Sequence, residues 1–123
     1  MKKWRVIISG GMAPAENMET DYALWRSASN GKSVPVLRFY QWSPSAVSLG
    51  YNQSPQNIIN TDFCKEKNIP VVKRPTGGSA IFHDIELTYS FCGNIKDHPS
   101  FALPFASYIA VCGGIINGLQ RLG

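Results

Sequence analysis

Two cations, Lys73 and Arg74, precede a rigid Pro75, and behind it stand Thr76, the pair Gly77-Gly78, a hydroxyl at Ser79 and the pair His83-Asp84. Such a stretch could hold an anion, because backbone N–H groups of consecutive glycines approach a ligand closely while the cations supply charge nearby. Neither standard phosphate motif accompanies it. There is no GxxxxGKS or GxxxxGKT run and no GxGxxG opening a helix, which argues against a P-loop and a dinucleotide fingerprint. As a bare pattern, Pro75-Thr76-Gly77-Gly78 also suits a type II or related hairpin turn, with glycine supplying positive φ. His83 likewise suits a turn in which it bonds Asp84. The other histidine, His98, precedes Pro99 in an expected loop, so no metal site is expected.

The elements that must position these residues can be read from periodicity. "WRVIISGG" alternates Trp4, Val6 and Ile8 against Arg5, Ile7 and Ser9, a first strand ended by Gly10-Gly11. "ENMETDYALWRSAS" predicts a short amphipathic helix, with Asn17 as N-cap, acids Glu19 and Asp21 in the first turn, and Met18, Tyr22 and Trp25 on one face. "VPVLRFYQW" and "AVSLGY", broken by Pro44, predict two adjacent strands joined by a short turn. "NTDFCKEKN" predicts a helix capped by Asn60 or Thr61, before Pro70 forces extension.

The glycine stretch then sits between two expected strands, Val71 to Arg74 and Ser79 to Phe82, with a turn at His83-Asp84 leading into a third. Strand periodicity places Ser79, Ile81 and His83 on one face and Ala80, Phe82 and Asp84 on the other. The third strand, "ELTYSF", alternates Leu87, Tyr89 and Phe91 with Glu86, Thr88 and Ser90, the mark of a half-buried strand in an antiparallel or mixed sheet. The tail "SYIAVCGGIINGLQRLG" places Tyr108, Cys112, Ile115, Ile116, Leu119 and Leu122 on one broad helical face. Gly113, Gly114 and Gly118 within it suggest close packing against another element, and Gly123 suits a position just past a helix end.

At 123 residues the chain has room for one domain with a modest core. Apolar content of 44% with 16% charged residues is ordinary for a folded protein. The net charge of +4 comes from scattered bases rather than a stripe, so nucleic acid is not an expected partner, whereas an acidic protein or an anionic small molecule is. Three cysteines, Cys64, Cys92 and Cys112, have neither even count nor metal spacing and read as reduced thiols in a cytoplasmic protein. Pro99 to Gln120 carries no charge, which raises a membrane anchor as a reading; Pro104 and the polar Ser100, Ser107, Asn117 and Gln120 favour a core helix.

"KRPTGGSAIFHDIELTYSF" resembles the signature loop of the lipoate-protein ligases and octanoyltransferases of the biotin/lipoate protein ligase superfamily. "NMETDYAL", "LRFYQWSPSAVSLGYNQ" and "GGIINGLQRLG" resemble, in order, the family's first helix, its aromatic strand pair with a Gly-Tyr-x-Gln turn, and the helix after the signature. The likeness runs over nearly the whole chain. It implies an α+β fold, a mixed and largely antiparallel sheet flanked by helices, with residues 1–123 forming the N-terminal part of the catalytic domain. The chain is then truncated relative to the family, whose catalytic lysine, and acyl-carrying cysteine in the transferase branch, lie beyond Gly123.

Carried over by position, the resemblance implies that Arg74 pairs with phosphate or carboxylate and that Thr76, Gly77, Gly78, Ser79 and Ala80 line the ligand. Phe82 and His83 would close the same wall, and Gly50 and Gln53 would border the acyl pocket. Ser79 stands where the family more often has glycine or arginine. The implied activity is transfer of a lipoyl or octanoyl group to a lysine of an acidic lipoyl carrier domain. ATP with Mg would activate lipoate in the ligase version; in the transferase version octanoyl comes from acyl carrier protein and no cofactor is needed. The alternative reading is a non-catalytic module that binds an acyl ligand or a partner. A second polypeptide completing the domain, and self-association through an uncovered half-sheet, are further implied partners.

Overall fold

The computed structural model describes residues 3–123. Six strands and three α-helices follow in the order β1 (Arg5–Met12), α1 (Pro14–Ser29), β2 (Val36–Trp42), β3 (Ala46–Leu49), α2 (Thr61–Glu66), β4 (Val71–Lys73), β5 (Ile81–His83), β6 (Thr88–Cys92) and α3 (Pro104–Gln120). The fold is α+β, as expected. The strands divide between two three-stranded sheets, β1-β2-β6 and β4-β3-β5. Each is mixed: β1 runs parallel to β2 and β6 antiparallel to it, while β4 runs parallel to β3 and β5 antiparallel to it.

This arrangement corrects three local expectations. First, β2 and β3 are not paired neighbours; the Ser43 to Ser45 corner carries the chain from one sheet to the other. Second, β4 and β5 do not form a hairpin, because β3 lies between them and pairs with both. The Pro-Thr-Gly-Gly segment therefore spans a strand instead of turning tightly back. Third, β1 runs on through Gly10 and Gly11, whose register against β2 shifts between Ile8 and Gly11, with Gly10 at φ +68°. Such an irregularity lets a strand bend without ending it.

Helix α1 starts earlier than its acids suggest. Pro14 takes the first turn, where its missing N–H costs nothing, and Asn17 lies inside the helix, fully buried, rather than capping it. Its side-chain amide donates to the carbonyls of Met12 (3.3 Å) and Gln41 (3.0 Å), tying helix to sheet. Helix α2 is capped as expected: Asn60 Oδ1 accepts from Phe63 N–H at 2.9 Å.

The interior is small. Met18, Tyr40, Trp42 and Ala46 form its apolar centre, with Val72 packed against it. Beside them Arg38 is fully buried on the inward face of β2, in line with Val36, Tyr40 and Trp42. Its guanidinium donates to Ser9 Oγ, Asn17 O, Asp21 Oδ1, Met12 Sδ and Asn17 Oδ1, so that all five N–H groups of a guanidinium have acceptors. Asp21 also accepts from Tyr40 (2.9 Å) and Ser90 (2.7 Å). Burial first, and then the Asp21 carboxylate, push the Tyr40 phenol well above its ordinary value.

Helix α3 contrasts with this centre. Tyr108, Ile116, Leu119 and Leu122 are mostly exposed, and side chains added at Gly113, Gly114 and Gly118 would meet nothing within 4 Å. The expected close packing at those glycines is thus not made among the described residues. No helix there is long and apolar enough to cross a membrane.

Candidate functional site

The glycine loop is held from inside by Arg74. Its Nη2 donates to the carbonyls of Gly77 and Ser79, both at 2.8 Å, and its Nη1 to the carbonyl and hydroxyl of Ser48, both at 3.1 Å. Partial burial lowers the Arg74 pKa from its ordinary value; a guanidinium nonetheless stays charged. The Gly77 and Ser79 carbonyls are thereby turned to Arg74. Among the described residues, the N–H groups of Gly77, Gly78 and Ser79 meet no protein acceptor, and all three residues are exposed.

The turn at Gly50 to Gln53 docks onto this loop, through Tyr51 N–H to Thr76 O (2.8 Å), while Arg74 N–H reaches Leu49 O (3.0 Å). Gly50 N–H donates to Gln53 Oε1 at 2.9 Å, which closes the turn on itself. A Cβ at Gly50 would run into the carbonyl oxygen of Gly78 and stand 3.2 Å from the carbonyl carbon of Gly77. The glycine that close approach requires is therefore Gly50; Gly77 has open space around it, and Gly78 is required chiefly by its φ of +94°.

The structure thus brings together Arg74, Thr76, Gly77, Gly78, Ser79, Ala80, Gly50 and Gln53. The last two residues of the expected wall divide: Phe82 is largely exposed, whereas His83 is buried beneath Trp42, its ring stacked at 4.0 Å between centroids and 10° between planes. Asp84 is not the partner of His83. Its carboxylate accepts from Ser45 Oγ, and His83 Nδ1 lies 2.6 Å from Glu86 Oε1, with Nε2 2.8 Å from Ser48 Oγ. Burial acts to raise the Glu86 pKa, but the hydrogen bonds from His83 and Thr88 prevail and hold its carboxyl below the ordinary value.

Ser48, Glu86, Thr88 and Trp42 were not among the expected site residues. A sequence signal existed for Ser48, a small hydroxyl residue between Val47 and Leu49 in the apolar run "AVSLGY"; none marked Glu86 as the partner of His83. Lys73, the other cation before Pro75, lines a separate cleft of about 730 Å³ with Cys64, Lys65 and Ile69, which no residue from 76 to 80 borders. The three cysteines are free, and burial pushes the Cys92 thiol up to about 11. Among the described residues no group of three His, Cys, Asp or Glu could hold a metal ion.

Against known proteins, residues 13–123 match the family model of the lipoyl protein ligase A/B catalytic domain. The octanoyltransferase LipM of Carboxydothermus hydrogenoformans is 42% identical over all of this chain and 46% of its own length. That of Bacillus subtilis is 41% identical over 98% of this chain and 43% of its own. This chain spans less than half the length of these curated relatives. Among solved structures, a lipoate-protein ligase A bound with ATP superposes with a TM-score of 0.64 at 30% identity, covering 72% of this chain and 36% of that one. A bi-partite lipoate protein ligase from Thermoplasma acidophilum gives 0.65 at 29%, covering 74% and 36%.

Proposed function

Because the chain belongs to the lipoyl protein ligase A/B catalytic domain family, we propose that it forms the acyl-binding part of an octanoyltransferase acting on a lysine of a lipoyl carrier domain. The observation that carries this is the glycine loop, whose Gly77 and Ser79 carbonyls are occupied by Arg74 while the amides of Gly77, Gly78 and Ser79 meet no acceptor among the described residues. Preorganised amides of this kind suit an acyl carbonyl oxygen that gains negative charge as its bond to sulfur breaks. The exposed Phe82 and the turn at Gly50 and Gln53 flank the loop and suit the acyl chain beyond it.

The reaction joins an octanoyl thioester, delivered by acyl carrier protein, to a lysine amine, and releases a thiol. This chain binds and orients the acyl group. No residue of the glycine loop is assigned as the nucleophile, and the chain spans less than half the length of the curated relatives. The name shared by the curated relatives favours this version. A ligase version, in which ATP and Mg activate free lipoate as an adenylate on the same loop, is favoured by the ATP-bound neighbour.

A complementation assay separates the two. The chain is mixed with the downstream part of the Carboxydothermus relative, octanoyl acyl carrier protein and a lipoyl domain, and the lipoyl domain is weighed by mass spectrometry. An octanoyl increment without ATP is the expected result. An increment only with ATP and free acid would establish the ligase version, and none under either condition would overturn both.

A further inference from the structure

Beneath the glycine loop lies a chain of hydrogen bonds whose donors and acceptors can be assigned in one consistent sense. Trp42 Nε1–H donates to Thr88 Oγ1 (2.8 Å), and Thr88 donates to Glu86 Oε1 (2.7 Å). From the other end, Arg74 Nη1–H donates to Ser48 Oγ, so the Ser48 hydroxyl is free to give its own proton to His83 Nε2 (2.8 Å). His83 then carries its proton on Nδ1 and donates it to Glu86 at 2.6 Å. In this order each hydroxyl accepts once and donates once. With the proton on Nε2 instead, Ser48 Oγ would face two donors, and Nδ1 and Glu86 would share a proton-free contact.

We propose that Glu86, His83 and Ser48 form a positioning relay, which sets the tautomer of His83 and through Ser48 and Arg74 fixes the glycine loop, and that none of the three touches the ligand. As an account of what the loop is held for, it rests on the acyl-binding reading above. Ser48, His83 and a carboxylate also have the composition of a nucleophilic triad. Burial excludes that role: Ser48 is fully enclosed, its oxygen is occupied by Arg74, and His83 lies under the Trp42 ring. The hydrogen-bonded chain that holds the relay also spans both sheets, since Trp42 and Thr88 belong to β1-β2-β6 whereas Ser48 and His83 belong to β4-β3-β5. It therefore couples the packing of one sheet to the loop carried by the other.

The test is nuclear magnetic resonance on the chain labelled with 15N, which has only two histidines, His83 and His98. Long-range proton–nitrogen correlations at neutral pH should show His83 with a protonated Nδ1 and an unprotonated Nε2. Glu86→Ala should move His83 toward the other tautomer and displace the Gly77 and Gly78 amide resonances, and Glu86→Gln, which keeps an acceptor oxygen, should restore both. A protonated Nε2 in the unaltered chain, loop amides indifferent to Glu86→Ala, or a spectrum without dispersed resonances would each overturn the relay. Adding an octanoyl-pantetheine thioether separates this from the functional reading. Loop amides that ignore the ligand while the tautomer is as stated would sink the acyl-binding reading alone, and a wrong tautomer with ligand-shifted amides would sink the relay alone.

Discussion

The two faces of the sheet β1-β2-β6 differ in how their side chains are covered: the inner face mixes Val36, Tyr40 and Trp42 with buried polar groups, and the outer face is apolar and exposed. On the inner side stand Arg38, Asp21, Ser90 and Thr88, buried or half-buried and bonded to one another or to Asn17, Tyr40 and Glu86. On the outer side, Trp4, Val6, Ile8, Leu87 and Tyr89 are exposed, as is much of α3. The polar groups of the inner face are satisfied, and the apolar outer face is largely bare. A compact protein of 13.6 kDa has about 6,600 Å² of accessible surface, whereas this chain has 8469 Å². The excess, roughly 1,900 Å², is the size of a substantial protein interface. The chain thus carries a finished inner site and an exposed apolar outer face.

Breaking the inner face should cost most. Asp21→Ala leaves the Arg38 guanidinium buried without its carboxylate, and a loss of about 3–5 kcal/mol in denaturant unfolding is expected. Gly50→Ala comes next. Its methyl group must displace the Gly78 carbonyl, so stability should drop by about 1–3 kcal/mol, as overpacking does, and the Gly77 and Gly78 amide resonances should move with it.

A smaller effect is expected from Glu86. Because the folded protein holds this carboxyl below its ordinary value of 4.5, the stability it contributes is present above that pH and is lost as pH falls through the folded value. Glu86→Gln should flatten the acid limb of a Tm-against-pH curve and leave the limb above neutrality unchanged. Least of all should come from the outer face. Leu119→Gln, on an exposed position of α3, should change stability by no more than about 0.5 kcal/mol, while light scattering should report less self-association than in the unaltered chain. A loss of stability there as large as that from Asp21→Ala would contradict the contrast between the faces.

What could be read from the sequence follows the range of the interactions. Elements set by local pattern were legible: α2 with its Asn60 cap, β6 from its alternation, and the grouping of Arg74, Gly77 and Gly78 with Gly50 and Gln53 through the family resemblance. Pairings set by distant residues were not. Pro75-Thr76-Gly77-Gly78 has the composition of a hairpin turn, and nothing local reveals that β3 will insert between the strands it connects. Asn17 has the type of a cap residue, and only the burial of Arg38 opposite it explains why it lies inside the helix. His83 was matched with its neighbour Asp84, although Ser45 takes that carboxylate and the next turn brings Glu86 to the ring. Arg38 carried a usable signal, an arginine in phase with Val36, Tyr40 and Trp42 on one strand face.

The central claim is that the Arg74-held glycine loop is a ligand site, and calorimetric titration of the purified chain with a non-hydrolysable octanoyl thioether, beside Arg74→Ala, tests it most directly. Saturable binding that weakens at least tenfold in the variant is the predicted result. A folded chain that binds nothing, or a variant that binds as tightly as the unaltered chain, would contradict it.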